Sequence, residues 1–289
     1  MYIVYFSASG TTQKVTTIFS DAMGGEAVRF DLLRCPPKEP VTFGPDETAV
    51  FAFPVFGGRI PQICADMLRK FKGEKTPAVA MVVYGNRAYD DALLELTDIL
   101  DEQEFVTIAA AAFIAQHSIF PAVAAGRPDG ADQEKIIAFA QECKRKLASS
   151  AGRESVTVEG NHPYVKAGAV SLHPTGDKNC NGCGTCVKVC PVSAISADVP
   201  KKTDLKKCIA CTACIAACPQ HARGFHVPVL YSAVGKSFAK SNAGEKNRKS
   251  SFEHRNKIHQ HHPFRGVVLL LITSLPVPPG DPLRCQWQT

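Results

Sequence analysis

Cys180-Asn-Gly-Cys183-Gly-Thr-Cys186-Val-Lys-Val-Cys190-Pro191 and Cys208-Ile-Ala-Cys211-Thr-Ala-Cys214-Ile-Ala-Ala-Cys218-Pro219 are two copies of one pattern, C-x2-C-x2-C-x3-C-P. Three cysteines at two-residue gaps on a tight turn can reach three corners of a cubane iron–sulfur core, so a fourth thiolate must come from elsewhere. In the bacterial run the last cysteine serves the other cluster. That rule groups Cys180, Cys183, Cys186 and Cys218 around one cube and Cys190, Cys208, Cys211 and Cys214 around a second. Neither half then folds without the other. Gly182 and Gly184 allow the backbone to turn around an inorganic core. Ala210, Ala213, Ala216 and Ala217 leave room beside the second one, and Ile195, Ile209 and Ile215 supply apolar cover. Zinc and disulfides are the competing readings. Structural zinc favours two separated C-x2-C knuckles, which would leave cysteines over, and a disulfide scaffold needs an oxidising compartment.

Outward from this stretch, the chain changes character. Its 289 residues are enough for two domains, and 45% hydrophobic content is ordinary for a packed protein. The first 150 or so residues carry strand and helix patterns with little cysteine, whereas the next 70 or so hold the eight motif cysteines in a span too short for a large core. Of the remaining cysteines, Cys35, Cys64 and Cys143 read as small core hydrophobes and Cys285 lies near the end. Met1 to Phe6 runs straight into a strand pattern without a secretory signal, and the longest strongly apolar run, Val267 to Ile272, is far short of the roughly 20 residues a membrane helix needs. A soluble protein of the reducing cytoplasm is the expectation.

The net charge of +6 is uneven: −4 over residues 1–150, +3 over 151–220 and +7 over 221–289. Bound clusters would make the middle segment more negative. The basic tail lacks interleaved stacking aromatics, so no nucleic-acid surface is expected.

From the start, Met1–Phe6 reads as a strand, Ser7-Ala-Ser-Gly-Thr-Thr12 as a polar loop, and Val15, Ile18, Phe19 and Ala22 as one face of a helix. Hydroxyls and free backbone N–H groups at a helix start form an anion site; a plain capped connection looks the same. Neither G-x-G-x-x-G nor G-x4-G-K-[ST] occurs there. Residues 26–31 read as a second strand, Cys35–Pro45 as a loop, and Thr48–Phe53 as a strand covered on both faces. Pro54-Val-Phe-Gly-Gly-Arg-Ile-Pro61 follows, then a helix with Ile63, Met67, Leu68 and Phe71 on its apolar face. Ala78–Tyr84 is a fourth strand, ending in Gly85-Asn-Arg-Ala-Tyr89, with Asp90 and Asp91 capping the next helix. Val106–Ala115 is a fifth strand, Gln116-His-Ser118 its terminal loop with His117 a possible ligand contact, and Ile136 to Leu147 the closing helix. Five strands alternating with helices imply a doubly wound parallel sheet. All four loops starting at Ser7, Pro54, Tyr84 and Gln116 then lie at the carboxyl edge, where such sheets bind ligands.

Ser7–Thr12 resembles the flavodoxin phosphate loop, and Pro54–Pro61 with Tyr84–Asp91 resembles the flavin-flanking loops of flavodoxin-like domains. Joined to the cysteine run, residues 1 to 226 resemble the fused flavodoxin–ferredoxin electron-transfer proteins of the EFR type, found in anaerobic bacteria. The resemblance implies a strand order 2-1-3-4-5, an FMN domain at 1–148, a linker at 149–173, a small α+β domain with two 4Fe-4S clusters at 174–226, and a basic, disordered tail at 227–289. It places Ser7, Ser9, Gly10, Thr11 and Thr12 on the phosphate. Pro54, Phe56, Gly57 and Gly58 fall on one side of the isoalloxazine, and Tyr84, Gly85, Asn86, Arg87 and Tyr89 on the other. It implies an electron carrier with a redox protein partner; the alternatives are a flavoenzyme that reduces a small substrate, with the clusters as internal wire, and a redox sensor. Within the linker Ser155–Val158 reads as a strand. Beyond His226 a short basic helix before Lys249 is expected, and His254, His259, His261 and His262 form a histidine-rich run.

Overall fold

The computed structural model describes residues 1–149, 154–168, 172–226 and 235–240. Strands β1 (Tyr2–Tyr5), β2 (Val28–Asp31), β4 (Ala49–Pro54), β6 (Thr76–Tyr84) and β7 (Phe105–Ile114) form one parallel sheet in the order β2-β1-β4-β6-β7. This is the expected 2-1-3-4-5 winding once two short strands, β3 (Val41–Phe43) and β5 (Phe71–Gly73), are set aside as their own parallel pair. All nine residues of β6 and the first five of β4 are buried, as a sheet covered on both faces requires. Helices α1 (Thr11–Met23) and α4 (Gly130–Leu147) cover one face, setting Val15, Phe19, Ile136 and Phe139 against Ile3, Val50, Val79 and Met81. Helices α2 (Gln62–Leu68) and α3 (Ala92–Glu102) cover the other, where Leu68, Leu93 and Leu96 meet Phe51 and Phe53. An Asp129–Asp132 capping box starts α4, with Arg127 donating from Nε to Asp132 at 2.6 Å.

The fold departs from five expectations, the last of them at Ser155–Val158. Phe71 leaves the helical face and enters β5, because stacking on Phe43 (ring centroids 6.0 Å apart, planes 4° from parallel) buries both rings. The same pairing turns part of the Cys35–Pro45 loop into β3. Asp91 makes no side-chain cap on α3; its carboxylate faces the linker instead. Cys35 is only partly covered, while Cys64 and Cys143 are buried as core residues whose thiols burial pushes upward.

Ser155–Val158 is not a strand. A single bond, from Val156 N–H to Thr107 O at 2.8 Å, ties it to the sheet, and Val156 and Val158 tuck against the apolar core. Further along, Asp91 Oδ1 accepts from Asn161 N–H (2.9 Å) and Nδ2 (3.0 Å), and Asp91 Oδ2 accepts from Val165 N–H (2.6 Å). Arg59, doubly bonded to the buried Glu95, donates to Val165 O at 3.2 Å and lies 4.4 Å over the Tyr164 ring. The Tyr164 hydroxyl donates to Asp98. The connecting chain is therefore strapped across α3, and it leads to a small second unit.

That unit holds β8 (Thr175–Gly176), α5 (Thr185–Lys188), α6 (Ala213–Ala216) and β9 (Arg223–Gly224), with β8 and β9 antiparallel. It repeats itself. Gly182 and Gly184 are left-handed (φ 77° and 73°), and so are Ala210 and Thr212 (φ 52° and 68°), which occupy the same positions of the second motif. The second copy makes this turn without glycine, at a cost of about 1–2 kcal/mol per residue. Ala194 N–H donates to Cys190 Sγ (3.2 Å) and Ala222 N–H to Cys218 Sγ (3.3 Å), again one repeat apart. Residues 235–240 of the tail are helical, in keeping with the expected short basic helix; the rest of the tail, with the histidine-rich run and Cys285, lies outside the described residues. Among the described residues, no helix is long and apolar enough to cross a membrane.

Candidate functional site

Three cavities matter, and two of them share wall residues. One is walled by Cys180, Cys183, Cys186 and Cys218 with Gly184, Pro200 and Arg223. A second is walled by Cys190, Cys208, Cys211 and Cys214 with Ala194, Ile195, Ile209 and Ala213. Each takes three cysteines from one motif and one from the other. Among the described residues no group of His, Cys, Asp or Glu closes on a single metal ion; the eight thiols are spread around two volumes. Their environments differ. Cys183 is exposed, its thiol drawn downward by the Thr185 hydroxyl 3.4 Å from Sγ. Cys211 is buried, and desolvation pushes its thiol up to about 12. A thiolate there needs a metal to hold it.

The residues present fit cubanes. Donors reach the sulfurs at Cys190, Cys208 (from Ala210 N–H, 3.4 Å), Cys218 and Cys214. Such hydrogen bonds tune cluster potential. Ile195 and Ile209 supply apolar cover at the second cavity, and Ile215 packs beside Cys186 and Cys214.

The third cavity, about 820 Å³, lies at the carboxyl edge of the sheet, within the size range of small-molecule sites. Its polar end is the α1 start, with Ser9, Thr11 and Thr12 on the wall and the Ser9 and Thr11 hydroxyls 3.1 Å apart. Nearby Lys14 is turned away, donating to Pro128 O at 2.7 Å. The flank is aromatic: Phe56 from the β4 loop, Tyr84 from β6, and His117 and Phe120 after β7. Hydroxyls with helix N–H groups suit a phosphate, and a flat aromatic flank suits a planar ring system.

Of the residues singled out from sequence, Ser9, Thr11, Thr12, Pro54, Phe56, Gly57, Tyr84, Gly85 and Arg87 line this cavity. Ser7, Gly10, Gly58, Asn86 and Tyr89 are not in its wall. Ser7 Oγ accepts from Gln13 N–H (2.9 Å) and so holds the first turn of α1. Gly58, at φ 89°, abuts Asp90, where a Cβ would meet Oδ2 at 2.5 Å. Tyr89 packs edge-on to Tyr84. His117 lines the wall: its Nδ1 accepts from Ile119 N–H (3.1 Å) and Phe120 N–H (3.2 Å), and its ring abuts Phe120 and Phe238. Burial lowers the imidazole to about 4, aided by Arg87, so the ring is neutral with its proton on Nε2.

Sequence reasoning missed the far wall. Val165, Lys166 and Gly168 of the strap, Leu172, Phe238 of the 235–240 helix, and Ile209, Ala210 and Cys211 all face the cavity. Gly168 N–H donates to Gly57 O at 3.1 Å, and a Cβ on Gly57 would strike Gly168 N at 2.4 Å, so this contact admits only glycine. These residues are distant in sequence from the strand-end loops, and nothing local marks them.

Comparison with known proteins adds one assignment. Residues 161–223 match the 4Fe-4S dicluster domain family, which places iron–sulfur chemistry in the cysteine unit. A search of curated protein sequences returns no match. Among solved structures, the chain is similar to rubredoxin oxygen:oxidoreductase from Desulfovibrio gigas (14% identity, 48% of this chain and 34% of that one, TM-score 0.36). It is also similar to a protein designated a flavoprotein from Bacteroides uniformis (13%, 48% and 95%, 0.32) and to the Trp repressor binding protein of Bacillus subtilis (11%, 52% and 99%, 0.29).

Proposed function

We propose that this protein is an electron carrier in which two 4Fe-4S clusters, held by Cys180, Cys183, Cys186 and Cys218 and by Cys190, Cys208, Cys211 and Cys214, exchange electrons with FMN in the 820 Å³ cavity. One observation carries this reading: Ile209 and Cys211 belong to the walls of both the second cysteine cavity and the large cavity. A cluster ligand at Cys211 would stand directly on the ring-binding volume, with no intervening layer of protein. When bound, cubanes pass single electrons and FMN handles one or two, which lets the pair match one-electron donors to a two-electron acceptor.

The protein's own part is position and shielding. Ser9, Thr11 and Thr12 with the α1 N–H groups hold the phosphate, while Ser7 fixes that turn. Phe56 and Tyr84 flank the ring. The strap at Val165–Gly168, Phe120 and Phe238 close the remaining side against water. Cys183, the exposed thiol, puts the first cluster nearest to a docking redox protein. We assign residues 1–148 to the FMN domain, 149–173 to the linker and 174–226 to the cluster domain, in a cytoplasmic setting that keeps the thiols reduced.

The test is composition followed by one variant. Anaerobically purified protein should contain eight iron, eight acid-labile sulfide and one FMN per chain. Cys211→Ser should lose the second cluster, keep FMN, and lose fast reduction of the flavin through the clusters while direct chemical reduction survives. Zinc in place of iron, or no flavin, sinks the proposal. Turnover of a small acceptor with every protein partner removed would replace the carrier with an enzyme.

A further inference from the structure

Arg223 lies beyond the second cysteine motif and belongs to neither copy, yet it is only 3% exposed. Its Nη1 donates to the carbonyls of Pro200 (2.8 Å) and Lys201 (3.4 Å). Its Nη2 donates to Pro174 O (2.8 Å), Thr203 Oγ1 (2.6 Å) and Cys214 Sγ (3.8 Å). Its Nε is buried with no partner. Among the described residues no carboxylate forms an ion pair with it. A buried guanidinium facing neutral oxygens and a cysteine sulfur is costly, because the desolvation of the charge is not offset by a carboxylate.

Clusters held by the cysteines would supply the anion. Arg223 forms part of the wall of the cavity ringed by Cys180, Cys183, Cys186 and Cys218, and it donates to Cys214 of the other cavity. It stands between the two.

We propose that Arg223 is a positioning residue and the shared counter-cation of both clusters, raising the reduction potential of each. This rests on the two-cluster reading given above. Reduction adds one electron to a cube and leaves it more negative; a fixed cation in a low-dielectric setting stabilises that reduced form more than the oxidised one. Its place in the wall of the first cavity and its bond to Cys214 set the guanidinium against both sets of cysteines.

The experiment is an EPR-monitored redox titration of the whole chain as wild type, Arg223→Gln and Arg223→Lys, with iron and sulfide measured on each. Arg223→Gln should make both clusters harder to reduce, by about tenfold or more in each equilibrium, or about 59 mV per tenfold for one electron. Arg223→Lys should recover most of that shift. A purely structural role, through the Pro174, Pro200 and Thr203 bonds, would lower iron content while leaving the surviving potentials in place, and that result overturns the proposal. So does a shift confined to one cluster. Should Arg223→Gln fail to assemble, pulsed EPR on wild-type protein carrying 15N-arginine decides instead: a guanidinium coupling on both reduced clusters supports the shared role, and its absence from either one ends it. Wild-type protein without iron and sulfide would instead defeat the cluster reading itself, and this inference with it.

Discussion

The sheet unit and the cysteine unit differ in what they bury. Phe6, Phe19, Phe51, Phe53 and Phe139 are fully covered around the sheet. In residues 172–226 the buried apolar residues are all alanine or cysteine except Pro174 and Ile195. Alanine and cysteine remove little area from water, and at roughly 25 cal/mol per Å² they cannot offset the ordering of some fifty residues. The cysteine unit also carries left-handed Ser193, Ala210, Thr212 and His221, each unfavourable locally. One region is stabilised by its own side chains. On the proposed reading the other keeps a strained backbone because metal–thiolate bonds would compensate, which would make its folding and its metal content one quantity.

The sharpest way to break this contrast is to strip the metal anaerobically by chelation. Hydrogen exchange should show protection lost throughout 172–226 and retained in β4 and β6; persistent protection near Cys211 would mean the small core suffices. Conversely, Phe51→Ala should cost the sheet unit about 3–5 kcal/mol in thermal unfolding by circular dichroism, with iron content unchanged.

Asp91 sits where the two regions are joined. Asp91→Ala leaves the N–H groups of Asn161 and Val165 without their acceptor and should cost about 2–3 kcal/mol. Limited proteolysis should then cut the 154–168 strap while the sheet unit and the clusters stay intact. A strap that remains uncut shows that Arg59 and Tyr164 hold it unaided.

The His117 effect is smaller and depends on pH. Its folded value of about 4 lies below the roughly 6.5 of an unfolded histidine. The unfolded chain therefore binds more protons in that window: the contribution is fully present above about 6.5 and is lost as pH falls toward 4. Allowing for partial exposure, it amounts to about 2 kcal/mol. His117→Gln should flatten the stability profile there. Least of all, Ser7→Ala should cost about 1 kcal/mol by freeing Gln13 N–H, visible as a small fall in melting temperature and weaker retention of FMN.

The fold of the sheet unit was legible because its signals are local. Val79–Val83 is apolar on both faces wherever it is read, and the carboxyl-edge position of the Ser7, Pro54, Tyr84 and Gln116 loops follows from parallel winding alone. Local signals also misled. Phe71 continues the helical spacing of Ile63 and Met67, but its ring gains more by stacking on Phe43. Asp91 looks like a cap in sequence and serves the strap instead.

What the amino-acid order determined by itself is the set of parts: the parallel sheet, the paired cysteine motifs, and the hydroxyl-rich start of α1. Tertiary structure alone decided how they meet. It set Cys211 on two cavities, laid Gly168 on Gly57, and buried Arg223 between the thiols of both motifs. Periodicity and spacing reach only along the chain, whereas these contacts join segments distant in sequence that packing, and not propensity, brings together.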